Sequence, residues 1–130
     1  MRKFSIHLSK YINPDSKLLV FDLYINGNCV FDEFYQKIWD EGNLTKYLHA
    51  ALQIIEASAN GLRLPETKFK LIKQKGLPCR LYEAKKNDIR LYFFHDEKTG
   101  RIIIKGGKKS TQMTDITKVI NIVKDYYHGQ

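Results

Sequence analysis

"CRLYEAKKNDIRLYFFHDEKTGRIIIKGG", residues 79–107, holds apolar runs around Leu81, Leu91 and Ile103, with the turn residues of KKND and DEKTG between them. β-Branched and aromatic residues fit a pleated surface, and Asn, Asp and Gly reverse a chain. The pattern predicts a meander of antiparallel hairpins. Alternation then sorts the side chains. Ile89, Leu91 and Phe93 form a purely apolar set, while Arg90, Tyr92 and Phe94 point the other way. Leu81, Glu83 and Lys85 share a face, and a tight hairpin brings Glu83 or Lys85 near Arg90.

Outward from this stretch, KFKLIKQKG at 68–76 predicts one more strand. KLLVFDLYINGN at 17–28 predicts another, ending in an Asn-Gly turn signal. Phe4 to Leu8 could add a short edge strand. Phe31, Phe34, Tyr35 and Ile38 fall at helical spacing, with Asp32 and Glu33 at the positive end and Gly42 as a stop. A second helix follows, with Asn43 as its cap and Leu44 to Ile55 supplying a broad apolar face. Two helices so closely joined predict an antiparallel helical hairpin. TDITKVINIVKDYY at 114–127 predicts a C-terminal helix capped by Thr114 or Asp115. The expected fold is α+β: one domain over residues 1–130, with the helical hairpin and the C-terminal helix on one face of an antiparallel sheet. Residues 1–17 are expected as an extra edge strand or an N-terminal extension. The second face of the sheet is expected to be open.

Composition excludes several classes. The chain of 130 residues is 43% hydrophobic and 28% charged, the balance of a globular protein. It has no apolar run of about 18 residues to span a membrane. The basic N-terminus lacks the apolar stretch of a signal peptide. Cys29 and Cys79 lie far apart, and the four histidines are scattered, so spacing predicts free thiols, a cytoplasmic location, no cofactor and no metal site. Charge is uneven. Residues 1–60 carry a net charge of −1 and residues 61–130 a net of +9. So basic a half attracts polyanions. Arg90 beside Tyr92 and Phe94, with Lys108 and Lys109 at the strand end, suggests a face for single-stranded RNA, where cations hold phosphates and rings stack on bases.

Three motifs then fall in order: Tyr82-Glu83-Ala84-Lys85, Ile89-Arg90-Leu91-Tyr92 and Gly107-Lys108-Lys109-Ser110-Thr111-Gln112, the last before a helix. Together with the preceding strand and helix pair, over residues 18–128, they resemble RelE/HigB-type toxins of type II toxin–antitoxin systems. The similarity is greatest to the phage-derived HigB-like branch of the RelE/ParE superfamily. Lys85 stands where that branch usually has arginine. The resemblance implies a RelE-like fold and a metal-independent mRNA endoribonuclease, often ribosome-dependent. Its implied partners are mRNA, the ribosome and a cognate antitoxin, expected to be of the helix-turn-helix type; no membrane is involved. The alternative on the same fold is a non-catalytic binding module, a gyrase-poisoning ParE-like toxin or a decayed one.

RNA brings its own nucleophile, the 2′-hydroxyl. Cleavage needs alignment, a proton acceptor, neutralised phosphoryl oxygens and a protonated leaving oxygen. The expected catalytic set is Arg90 on the phosphoryl oxygens, Glu83 as base, Lys85 as supporting cation and Lys109 at the leaving oxygen. Lys108, Lys109, Tyr92 and Thr111 are expected to bind RNA. Glu83 is equally read as the partner in a surface ion pair, and Lys108 and Lys109 as solvated turn lysines.

Overall fold

Each run in the opening stretch is a strand. The computed structural model describes residues 2–128. Its elements are β1 (Phe4–Leu8), β2 (Val20–Ile25), β3 (Asn28–Cys29), α1 (Val30–Glu41), α2 (Thr45–Ala59), β4 (Phe69–Ile72), β5 (Arg80–Lys86), β6 (Ile89–Asp96), β7 (Gly100–Lys108) and α3 (Gln112–His128). A single 3-10 turn, Lys109–Thr111, joins β7 to α3. The fold is α+β. Asn87 sits at φ 52° in the two-residue turn between β5 and β6, the left-handed geometry that matches strand twist. Asn26 and Gly27, at φ 51° and 83°, do the same between β2 and β3. Gly42 ends α1 at φ 83°, its amide donating to the Ile38 carbonyl. Asn43 does not cap α2, and α3 begins at Gln112, ahead of Thr114 and Asp115.

The seven-stranded sheet runs β1-β2-β7-β6-β5-β4, with β3 paired to β2. It is mixed where an antiparallel sheet was expected, because β2 lies parallel to β7 over Val20–Asp22. Gly100 starts β7 at φ 129°, and a Cβ there would strike the Leu19 carbonyl, so only glycine admits this parallel start. Phe4–Leu8 is the edge strand beside β2.

The helices do not share a face. Ile89, Leu91, Phe93 and Ile103 pack with Phe31, Ile38, Leu48 and Ile55 of α1 and α2. Tyr92, Phe94, Ile102 and Ile104 pack with Val119, Ile122 and Val123 of α3. The expectation of an open second face therefore fails. The physical reason lies in β6 itself: Tyr92, Phe93 and Phe94 are all buried, as in a strand covered on both sides. A bulge opposite Tyr92 and Phe93 makes Ile104 an extra residue of β7, and it joins the α3 side of the core. Under α2, buried Arg101 lies 4.9 Å over the Tyr82 ring and donates to the Ser58 carbonyl.

At its C-terminal end α3 is pinned to β6, where the Tyr127 hydroxyl donates to Asp96 Oδ1 at 2.6 Å. Partial burial pushes the Asp96 carboxyl up, but bonds from Tyr127 and Thr99 outweigh it and hold the group below the usual aspartate range. A depressed folded value adds stability above the unfolded pKa, and that contribution is lost as pH falls through the folded value. Tyr127→Phe should cost about 1 kcal/mol at neutral pH. In urea unfolding, the gap from wild type should narrow as pH drops below the ordinary aspartate range.

Candidate nucleic-acid interface

The β5–β6 register decides which cations meet. Lys85 pairs with Arg90 and Glu83 with Tyr92, so all four side chains share the α3 face. Lys68 lies across from Lys85, whose amide donates to its carbonyl. α3 starts too late to cover this end of the sheet. The result is an open cleft of about 350 Å³ lined by Thr67, Lys68, Lys85, Lys86, Asn87 and Arg90. Among these residues there are four cations and no carboxylate. Arg90 is held in place by its own turn: Nη1 donates to the Asn87 carbonyl at 2.6 Å and to the Ile89 carbonyl at 3.0 Å. Its Nε has no partner among the described residues. The Lys109 amide donates to the Asp88 carbonyl, which sets exposed Lys109 beside the same turn.

The other expected residues are placed differently. Glu83 is only 2% exposed and accepts a hydrogen bond from Gln112 Nε2 of α3 at 2.8 Å. It opens onto a neighbouring groove with Lys70, Lys73 and Ile116. Tyr92 is fully buried under α3 and is core, so it offers no face to a base. Burial, reinforced by the Glu83 carboxylate beside it, pushes its phenol upward, yet the hydroxyl closes no hydrogen bond. Lys108 pairs with Ile89 and so turns to the opposite face, where it bridges Glu41 of α1 at 2.8 Å. The Thr111 hydroxyl is turned inward, donating to Asp115 Oδ2 at 2.7 Å. Asp115 also takes Lys105 Nζ at 2.6 Å, a buried pair beneath the lysine turn.

Gly106 and Gly107 lie within β7 and do not form a sharp exit from the sheet. A Cβ at 106 would run into the Phe34 ring, and one at 107 into the Asp115 carboxylate. The glycines thus let α1 and α3 press on the strand from opposite sides. Comparison with protein-family models, with curated proteins and with solved structures finds no match. The cleft is therefore read from its own chemistry.

Sequence reasoning missed Lys68 and Lys86. A signal existed: KFK at the start of KFKLIKQKG alternates, which places Lys68, just ahead of β4, on the same side as Lys70. It also missed a second cluster. Asp22, Cys29 and Asp32 converge, each offering a ligand atom within 4.8 Å of the others. Their spacing matches no metal motif, so only the β2–β3 turn and the start of α1 reveal them. Burial, with the Asp32 charge adding, pushes the Asp22 carboxyl up to about 6. Burial, with both aspartates nearby, pushes the Cys29 thiol up to about 11.

A core Tyr92 and a base-stacking Tyr92 differ in mutational cost. Tyr92→Ala should destabilise the fold by about 3–5 kcal/mol. Tyr92→Phe should stay within about 1 kcal/mol of wild type, because the hydroxyl it removes has no partner. Urea denaturation of both variants checks this, and a Tyr92→Ala protein of unchanged stability would return the ring to the surface.

Proposed function

We propose that the chain is an mRNA-cleaving toxin of the RelE/HigB type that binds the RNA backbone in the Lys68–Lys85–Lys86–Arg90 cleft. One observation carries the reading: Lys68 just ahead of β4, Lys85 and Lys86 of β5 and Arg90 of β6 line a single open cleft with no carboxylate in its lining. Such a site suits phosphate better than any neutral ligand. In this reading Arg90, already oriented by two carbonyls, faces the scissile phosphate. Lys68, Lys85 and Lys86 hold the flanking backbone, and exposed Lys109 reaches the leaving oxygen. Glu83 takes the proton of the 2′-hydroxyl on the oxygen that Gln112 leaves free. The RNA itself supplies the nucleophile, so the reaction class is transesterification at phosphorus. Tyr92, Lys108 and Thr111 have no part in binding. Tyr92 is core, Lys108 is bound to Glu41, and the hydroxyl of exposed Thr111 is held by Asp115.

A second reading, a non-catalytic binding module of the ParE or decayed-toxin kind, is favoured by the burial of Glu83. Cytoplasmic action, the ribosome and a cognate antitoxin follow from the toxin reading alone. Among the described residues, no helix is long and apolar enough to cross a membrane.

RNA binding and cleavage separate the two readings. Replacing Lys68, Lys85 and Lys86 together by Gln should weaken binding to single-stranded RNA. It should also flatten the salt dependence by a slope of roughly 0.7 for each phosphate no longer held. Glu83→Gln should leave binding intact and slow cleavage by about 10²–10⁴-fold. Arg90→Lys should bind but turn over slowly, because the planar fork is gone. Tight, salt-sensitive binding with no cleavage by wild type, and normal growth on strong expression, would establish the module instead. An unchanged salt slope in the triple variant would remove the cleft from the reading altogether.

A further inference from the structure

We infer that Asp22, Cys29 and Asp32 form a binding site for one thiophilic divalent cation of the zinc type, independent of the proposed RNA cleft. Three separate pieces of chain deliver the ligands. Asp22 is central in β2, Cys29 closes β3 and precedes α1, and Asp32 is in the first turn of α1. The tight Asn26-Gly27 turn makes their meeting possible, since it folds Cys29 back opposite Tyr24, two residues from Asp22. The candidate ligand atoms lie within 4.8 Å of one another, close enough for one ion to sit among them.

The buried chemistry points the same way. Asp22 is only 2% exposed, and its Oδ1 has no hydrogen-bond partner among the described residues. A buried carboxylate oxygen without a donor is rare, and an unseen ion is one of its standard explanations. Cys29 stands at the N-cap of α1, where Ser, Thr, Asp and Asn are preferred, yet it closes no cap hydrogen bond. Asp32 is steadied by Lys10 Nζ at 3.0 Å and by the Tyr11 hydroxyl, and each of its oxygens retains a lone pair. These donors orient the carboxylate, as outer partners of metal ligands do.

Ligand type selects the ion. A thiolate excludes calcium and magnesium, which take oxygen donors, and a mixed sulfur and carboxylate set suits zinc or its cobalt surrogate. Binding expels the Cys29 thiol proton and replaces the repulsion among three acidic groups with attraction to one dication. Three protein ligands leave one tetrahedral position for water. The ion would tie β2, the end of β3 and α1 together, a structural role remote from the RNA cleft.

The test is a titration of reduced, metal-stripped full-chain protein with cobalt(II), read by the thiolate-to-cobalt charge-transfer band in the near ultraviolet. Wild type should saturate at one equivalent, and one equivalent of zinc should abolish the band. Cys79→Ser should keep the band unchanged, which assigns it to Cys29 in a folded protein without touching the site. Asp22→Asn should weaken cobalt binding at least tenfold. No charge-transfer band in wild type at excess cobalt would overturn the proposal, whatever the variants do. So would a band that disappears in Cys79→Ser, or one unaffected by Asp22→Asn in a variant shown folded by circular dichroism.

Discussion

The pairing of β6 with β7, buried on both sides, is the constraint from which the rest of the architecture follows. Tyr92, Phe93 and Phe94 are consecutive and fully enclosed; Ile103 and Ile102 pair with Phe93 and Phe94 across the ladder, and the bulged Ile104 is as buried as they are. Side chains alternate in direction along a strand, so a run without polar members cannot be satisfied by one layer of helices. One layer must come from α1 and α2, and another from α3. At about 25 cal/mol per Å² of apolar surface, exposing either side of this pair would forfeit more than a small fold has to spare. The close approaches at Gly106 and Gly107 follow from the same sandwiching, with Phe34 of α1 pressing from one side and Asp115 of α3 from the other.

That constraint also explains which features are legible in the sequence. Strand and helix positions are, because periods of 2.0 and 3.6 differ within a few residues. The β5–β6 hairpin is legible too, but its register is not: the sequence leaves Glu83 or Lys85 beside Arg90, and the two-residue Asn87-Asp88 turn is what pairs Lys85 with Arg90. The layering is hidden at a definite point. Arg90 marks one side of β6 as polar, and alternation groups Tyr92 and Phe94 with it as an open floor. Yet Arg90 lies at the start of the strand, whereas Tyr92 belongs to the core cluster that Ile116 and Val119 of α3 complete. Side-chain direction follows from alternation, but how far along the strand a helix extends its cover does not. The parallel β2–β7 pairing is equally hidden, because it joins segments about 80 residues apart through no local signal.

The same boundary separates the expected site residues into two groups. Lys85, Arg90 and Lys109 lie beyond the start of α3 and remain beside the cleft, where Lys68 and Lys86 join them. Glu83 and Tyr92 are drawn into the fold by Gln112 and the apolar core, and Thr111, exposed just ahead of the helix, has its hydroxyl tied to Asp115. Lys108 leaves the site for a different reason. It is one residue out of phase with Gly107, the residue opposite Arg90, and so belongs to the α1 side. A single step in a strand reverses a side chain. In paired lysines, therefore, the members cannot both serve one face of a strand, and here only the one past the strand's end keeps its freedom.

α1 connects the two halves of the molecule mechanically. Its 12 residues span about 18 Å. At one end stand Cys29 and Asp32, and at the other Glu41, bound to Lys108 of β7. Phe34 fills the space over Gly106 between them. The helix thus starts beside Asp22 of β2 and is fastened at its C-terminus to the strand that leads into the lysine turn. Where β7 ends decides where Lys109 stands, because its amide is anchored to the β5–β6 turn through Asp88. Holding β7 from its α1 side by Glu41 and from its α3 side by Asp115 keeps that end from fraying. The many cations at this end repel one another, and the two carboxylates that answer them are set outside the cleft, one on each face. The strand end is neutralised where it must pack and left positive where it opens.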